Sequence, residues 1–191
     1  MKLYERLPDS ITVDGRKYRL DLDFRNVLKM MYIMERSDIL QDAKDYQALK
    51  CIMKRPPKDG ARLLLAIRLM LFGIGSVNAD KPVTNFEQDA DLIRAAFMQE
   101  YNINLFTDKL HWFEFVAFLH GLPEGNKYTE VIGIRTRPIP QATKYNKVER
   151  ETLIKAQAAY ALKMTKEQQK QSYNKSLQRV FSDLKSIADR K

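Results

Sequence analysis

Two stretches near the middle of the chain decide the fold. Residues 85–101 read NFEQDADLIRAAFMQEY, and residues 108–123 read DKLHWFEFVAFLHGLP. Apolar residues recur at helical spacing in the first stretch, which predicts one buried helix face. The second stretch is apolar nearly all round, which predicts a central helix. We expect the two helices to pack on each other and to bury three aromatic side chains, those of Phe97, Trp112 and Phe115.

Polar residues at the ends of these stretches predict where the helices begin and end. Asn85 is a good N-cap for the first helix, because its side chain can accept a hydrogen bond from a free backbone N–H. Asp108 has the same character and predicts a second helix from there to His120, ended by Gly121 and Pro123. Acidic residues in the first turns suit the positive end of the helix dipole, and here they are Glu87, Asp89 and Asp91.

The first third of the chain predicts a β-hairpin followed by helices. Residues 10–21 alternate between apolar and polar around Asp14-Gly15, a strong hairpin turn signal. Asp23 is expected to cap a helix that runs to Arg36. A second helix is predicted over residues 37–53, with Cys51 as a small buried side chain. A third is predicted from Pro57, since proline suits the first helical position.

The last third of the chain predicts a boundary and a basic helical pair. A short helix is predicted over residues 128–135, and Pro138 and Pro140 then disfavour helix. Helices are predicted over residues 147–164 and 166–189, with Thr165 and Gln168 as a capping box. The sequence therefore predicts a mainly α fold with an N-terminal hairpin. Its body would span residues 1–136, and its basic extension, residues 137–191, would stand apart or pack on the body as one domain.

The positive charge lies mostly at the C-terminal end. The net charge is +9. Residues 1–135 hold 20 Lys and Arg against 19 Asp and Glu, whereas residues 136–191 hold 13 against 5, so almost all of the excess belongs to the extension. No apolar run approaches the roughly 20 residues that a membrane span needs, and no secretion signal is expected. The single cysteine excludes an internal disulfide and fits a reducing compartment.

The predicted final helix carries the best candidate for a binding surface. Its apolar residues repeat at spacings of four and three, which indicates a short heptad seam. Lysines and an arginine border that seam. Such a surface would bind a helical or acidic partner, join copies of the chain, contact nucleic acid through phosphates, or simply face solvent. The candidate residues are Tyr173, Leu177, Val180, Phe181, Leu184 and Ile187 on the seam, and Lys166, Lys170, Lys175, Arg179 and Lys185 around it.

No motif for catalysis, metal binding or cofactor binding is apparent. His111 and His120 are nine residues apart, which places them on opposite faces of the predicted helix. One cysteine and two histidines give no zinc spacing. No glycine-rich phosphate loop and no nucleophile elbow is present. We therefore expect no enzymatic activity, no cofactor and no metal.

Several short motifs resemble one phage family. They are residues 7–18 (LPDSITVDGRKY), 21–25 (DLDFR), 89–97 (DADLIRAAF), 110–115 (LHWFEF), 121–123 (GLP) and 132–135 (IGIR). As a set, they resemble the "gene product fifteen" family of small tail proteins in long-tailed phages and prophages of Gram-positive hosts. The resemblance covers about residues 7–164.

This resemblance implies a non-enzymatic tail-assembly chaperone in the host cytoplasm. Such a chaperone would coat the helical tape-measure protein and help to recruit tail tube subunits. One alternative is a nucleic-acid-binding morphogenesis factor that uses the basic C-terminal helix. Another is a structural tail-completion or connector component of the virion.

Overall fold

The computed structural model describes residues 4–73 and 83–163. The chain divides into two compact units, the first up to Gly133 and the second from Ile134. The elements are β1 (Ser10–Val13), β2 (Arg16–Arg19), α1 (Phe24–Glu35), α2 (Gln41–Ile52), α3 (Ala61–Phe72), α4 (Ala90–Tyr101), α5 (Trp112–His120), α6 (Lys127–Thr136) and α7 (Lys147–Ala159). The mainly α fold with an N-terminal hairpin is confirmed. No described helix is both long enough and apolar enough to cross a bilayer.

The hairpin forms as the sequence predicts. β1 and β2 pair antiparallel, with Val13 opposite Arg16 across the turn. Asp14 and Gly15 both have positive φ, 50° and 74°. That conformation matches the right-handed twist of the strands and favours aspartate followed by glycine.

An extended pairing joins the start of α1 to the start of α5. The Trp112 N–H donates to the Leu22 carbonyl at 2.8 Å, and the Phe24 N–H donates to the Leu110 carbonyl at 3.0 Å. Asp23 and His111 face each other between these bonds. The pairing is antiparallel, so α1 and α5 begin at the same place in the first unit.

Stacked aromatic rings form the centre of the first unit. Phe115 stacks on Phe24 at 4.8 Å and on Phe97 at 5.3 Å, measured between ring centroids. Phe97, Trp112 and Phe115 are each 3% exposed or less, which confirms the predicted core. Tyr101 donates its hydroxyl to the Phe118 carbonyl at 2.8 Å, so α4 and α5 pack on each other as predicted.

Two helix starts in the first half differ from the prediction. α2 begins at Gln41 rather than residue 37, and the Asp38 carboxylate before it accepts from the Arg36 Nε at 2.9 Å. α3 begins at Ala61 rather than Pro57. The chain first passes close to α2 at Gly60, where an added Cβ would lie 2.3 Å from the Leu49 side chain.

The two central helices also begin later than predicted. Asn85 accepts bonds from the N–H groups of Glu87 and Gln88, but it caps an irregular turn, and α4 begins at Ala90. Asp108 caps no helix. Its carboxylate accepts from the Asn104 N–H at 2.8 Å and closes a separate turn, while α5 begins four residues later.

His111 is the residue that caps α5. Its Nδ1 accepts from the Phe113 N–H at 3.3 Å, and the Glu114 carboxylate accepts from the His111 N–H at 3.0 Å. Because Nδ1 accepts, Nε2 carries the proton and donates to the Pro8 carbonyl at 3.1 Å. The two histidines therefore do not lie on opposite faces of one helix, since His111 precedes it.

In the second unit, α7 ends earlier than predicted. It stops at Ala159 rather than residue 164. The Arg135 Nε donates to the Tyr160 carbonyl at 2.7 Å and so binds a group that would otherwise continue the helix. Gln157 donates to the Ile134 and Arg137 carbonyls and holds the residues after α6 against α7. Residues 137–143, with their two prolines, form neither helix nor strand.

Cys51 is half-buried on α2 rather than buried, and it donates to the Gln47 carbonyl at 3.5 Å. Burial raises the pKa of the Cys51 thiol, although Lys29 acts in the opposite direction.

Since the thiolate is the nucleophile, we expect Cys51 to react with a disulfide reagent more slowly than free cysteine at neutral pH. The rate should keep rising with pH above the range in which free cysteine levels off. A stopped-flow pH profile that matches free cysteine would contradict this expectation.

Candidate partner-binding surface

A tight turn between α4 and α5 presents the aromatic side chain of Phe106 to solvent. Asn102, the residue that follows α4, adopts the left-handed conformation with φ 53°. The Asn104 side chain accepts from the Phe106 N–H at 3.0 Å, and the Asp108 N–H donates to the Asn104 carbonyl at 2.8 Å. We call residues 104–108 the Phe106 turn. At its tip Phe106 is 70% exposed, while the preceding Leu105 is buried.

Arg25 of α1 holds the Phe106 turn in place. Its Nη2 donates to the Leu105 carbonyl at 3.0 Å and to the Asp108 carbonyl at 2.8 Å. Its Nη1 donates to the Asp23 carboxylate, and the guanidinium lies 4.7 Å from the centre of the Phe24 ring. One arginine therefore fixes both sides of the turn to the start of α1, so Phe106 is exposed on a rigid support.

A second arginine covers one face of Phe106. The Arg94 guanidinium carbon of α4 lies 4.4 Å from the centre of the Phe106 ring, a cation–π distance. The Arg94 Nη1 also donates to the Asp91 carboxylate at 3.0 Å. The exposed ring thus carries a cation beside it and remains accessible from its other side.

An apolar hollow of about 370 Å³ opens next to Phe106. Every charged residue that lines it is a cation, and these are Arg25, Lys29 and Arg94. The other lining residues are apolar, and the largest are Phe24, Leu28, Phe86, Ile93, Leu105 and Phe115. A surface of this kind suits an apolar side chain that has a carboxylate nearby.

Candidate metal ligands and titratable side chains in the described part of the chain are the other possible sites for chemistry. No group of three or more histidine, cysteine, aspartate or glutamate side chains in it could hold a metal ion. His111 is used as a helix cap, and Asp23 binds Arg25.

Comparison with protein families decides what kind of protein this is. Residues 3–162 match the family described as bacteriophage Gp15 protein. The chain belongs to this family. No curated protein and no solved structure matches the chain. The match confirms the resemblance that the short motifs indicated. The Gp15 family is one of phage structural and morphogenesis proteins and is not known for enzymatic activity.

We call the Phe106 turn and the apolar hollow beside it the Phe106 surface. The binding residues predicted from the sequence of this Gp15 protein are not the ones that form it. The seam and its basic border, from Lys166 to Ile187, lie outside the described residues, as do the predicted helix over residues 166–189 and the capping box at Thr165. That seam stays a prediction. Phe106 was not predicted from the sequence, where its signal was a large apolar residue among Asn, Thr and Asp in a loop.

Proposed function

We propose that this Gp15 protein is a non-enzymatic tail-assembly chaperone that acts in the host cytoplasm. It would bind the tape-measure protein and help to recruit tail tube subunits. The observation that carries the proposal is the exposed Phe106 beside an apolar hollow with a cationic rim. Membership of a phage structural and morphogenesis family supports it.

The physical mechanism is the masking of apolar side chains on a helical partner. A long amphipathic helix exposes apolar residues at regular spacing, and a groove with apolar walls can cover them in turn. Burial of a side chain such as Phe106 contributes about 1.5–3 kcal/mol, so two or three contacts give a useful yet reversible affinity. Arg25 and Arg94 are paired with Asp23 and Asp91, so Lys29 is the rim cation that would attract an acidic segment of the partner.

Coexpression with the tape-measure protein tests the proposal directly. We expect Phe106→Ser to reduce recovery of the tape-measure protein in a pull-down about tenfold, since a loss of 1.4 kcal/mol is a factor of ten. Tyr145→Ser is the matched control. Tyr145 is also an exposed aromatic residue with a cation beside it, because Lys144 Nζ lies 5.6 Å from its ring, but it belongs to the second unit.

Other outcomes point to the alternatives. Copurification of nucleic acid, with binding that weakens steeply with salt, would favour a nucleic-acid-binding morphogenesis factor. Detection in purified particles would favour a structural tail component. Equal recovery of the tape-measure protein with Phe106→Ser and with the wild type would show that Phe106 is not in the contact. The predicted seam around Leu177 and Leu184 would then be tested.

A further inference from the structure

The second strand of the hairpin has a free outer edge. The Leu20 N–H donates to the Asp9 carbonyl at 2.7 Å. Because bonded and non-bonded pairs alternate along an antiparallel ladder, the backbone N–H and C=O groups of Lys17 and Arg19 point away from β1. Among residues 4–73 and 83–163, these groups have no hydrogen-bond partner.

A groove of about 700 Å³ runs along this edge. Residues 17–21 form one wall, and residues 52–55, which are the last residue of α2 and the three after it, form the other. The Asp21 N–H donates to the Ile52 carbonyl at 2.7 Å and closes one end. Met53 is extended, with φ −149° and ψ 146°. Strand β2 and the extended Met53 thus face the groove from its two sides, which favours an extended occupant over a helix.

The charge of the groove selects the occupant. Four exposed cations line it, Lys17, Arg19, Lys54 and Arg55, against the carboxylates of Asp9 and Asp21. Basic side chains on an edge strand disfavour pairing with a second copy, because like charges would then face each other. The same side chains attract an acidic chain.

We propose that the outer edge of β2 accepts an extended acidic segment of a partner protein as a third strand. Backbone hydrogen bonds to Lys17 and Arg19 would supply affinity, and the four cations would select acidic side chains. This surface lies outside the apolar hollow at Phe106, so it would let the protein hold a second partner segment in a different conformation.

Titration of the full-length protein with a short peptide that alternates glutamate and valine tests the proposal. We expect the amide signals of Lys17 and Arg19 to shift in NMR spectra and their hydrogen exchange to slow. A peptide that alternates lysine and valine should cause neither change. Phe106→Ser should leave peptide binding unaltered, so failure here and failure of the proposed function can be told apart.

Two variants remove the two parts of the recognition. Lys17→Pro deletes an outward N–H together with one of the four cations, and proline is tolerated on an edge strand at a position outside the ladder. Lys54→Glu combined with Arg55→Glu reverses charge on the other wall and leaves the hairpin intact. Each should weaken peptide binding by on the order of tenfold or more. Arg68→Glu, an exposed charge reversal on α3, is the control and should change little.

Several results would overturn the proposal. One is exchange protection at residues away from β2, and another is equal binding of the acidic and basic peptides. Tighter binding of a single-stranded oligonucleotide than of the acidic peptide at the same salt would make the groove a nucleic-acid site. If Lys17→Pro disrupts the hairpin, the double variant Lys54→Glu, Arg55→Glu becomes the deciding test. Wild-type affinity of that variant for the acidic peptide would refute the proposal.

Discussion

Replacement of Trp112 by alanine is expected to lower the free energy of unfolding by about 3–5 kcal/mol. The indole is 3% exposed and lies at the start of α5. It stacks on Phe115 with centroids 5.8 Å apart and meets the rings of Phe72 and Phe86 edge-on at 5.7 and 6.3 Å. Alanine would leave a large cavity between three rings that cannot collapse into it, so the loss includes both burial and packing.

Chemical denaturation followed by far-ultraviolet circular dichroism measures this loss, with Trp112→Phe as the matched control. Phenylalanine keeps an aromatic ring at the site and removes the indole Nε1, which has no hydrogen-bond partner among the described residues. The control should therefore cost much less than alanine. Wild-type emission typical of a solvent-exposed tryptophan, or equal costs for the two variants, would contradict this account of the core.

Replacement of Asp89 by alanine is expected to cost about 3 kcal/mol, although a surface acid at a helix start usually contributes far less. The Asp89 side chain is 1% exposed. Its Oδ2 accepts from the Asn85 N–H at 2.9 Å and from the Thr84 hydroxyl at 3.1 Å, and that hydroxyl also lies 3.1 Å from the Tyr128 hydroxyl. Alanine would leave two partly buried donors without their acceptor, and hydrogen bonds to charged groups are the stronger kind.

Two control variants separate the hydrogen bonds of Asp89 from simple helix-end charge. Asp89→Asn keeps one acceptor oxygen and should recover part of the loss. Asp91→Ala removes an acid from the same first turn, where the side chain is 97% exposed, and should cost less than about 1 kcal/mol. Comparable losses for Asp89→Ala and Asp91→Ala in denaturant titrations would show that the buried contacts add nothing.

The sequence predicted the elements whose signals are local. Asp14 and Gly15 define the hairpin because a two-residue turn of that geometry needs two residues with positive φ. Asp23 caps α1 as predicted, since its side chain accepts from the Arg25 N–H two residues later. The burial of Phe97 and Phe115 followed from the apolar pattern, because a helix so rich in aromatic residues must lie inside.

Helix starts were predicted less well, because the same polar side chains can close other turns. Asp108 had every property of an N-cap, yet it closes the Phe106 turn, and a histidine caps α5 instead. The start of α3 follows Gly60, where the chain passes close to the Leu49 side chain of α2. Each of these choices depends on a neighbour that a local pattern does not reveal.

The Phe106 surface lay beyond sequence reasoning for a related reason. An aromatic residue in a loop is more often buried, and only the Phe106 turn with its hydrogen bonds exposes this one. Arg25, which fixes the turn, lies about eighty residues earlier in the chain. The sequence places Arg25 on a helix and Phe106 in a loop. It does not show that Arg25 contacts the Phe106 turn, because that contact follows from the packing of α1 beside α5.

The pairing of residues 22–24 with residues 110–112 has a consequence for how the protein is made. A ribosome releases the first segment long before the second, at roughly 5–20 residues per second, so the interval is on the order of ten seconds. During that time the nascent hairpin and first helix lack the strand and the aromatic rings that will cover them. The core of the first unit therefore cannot be completed until translation has passed α5.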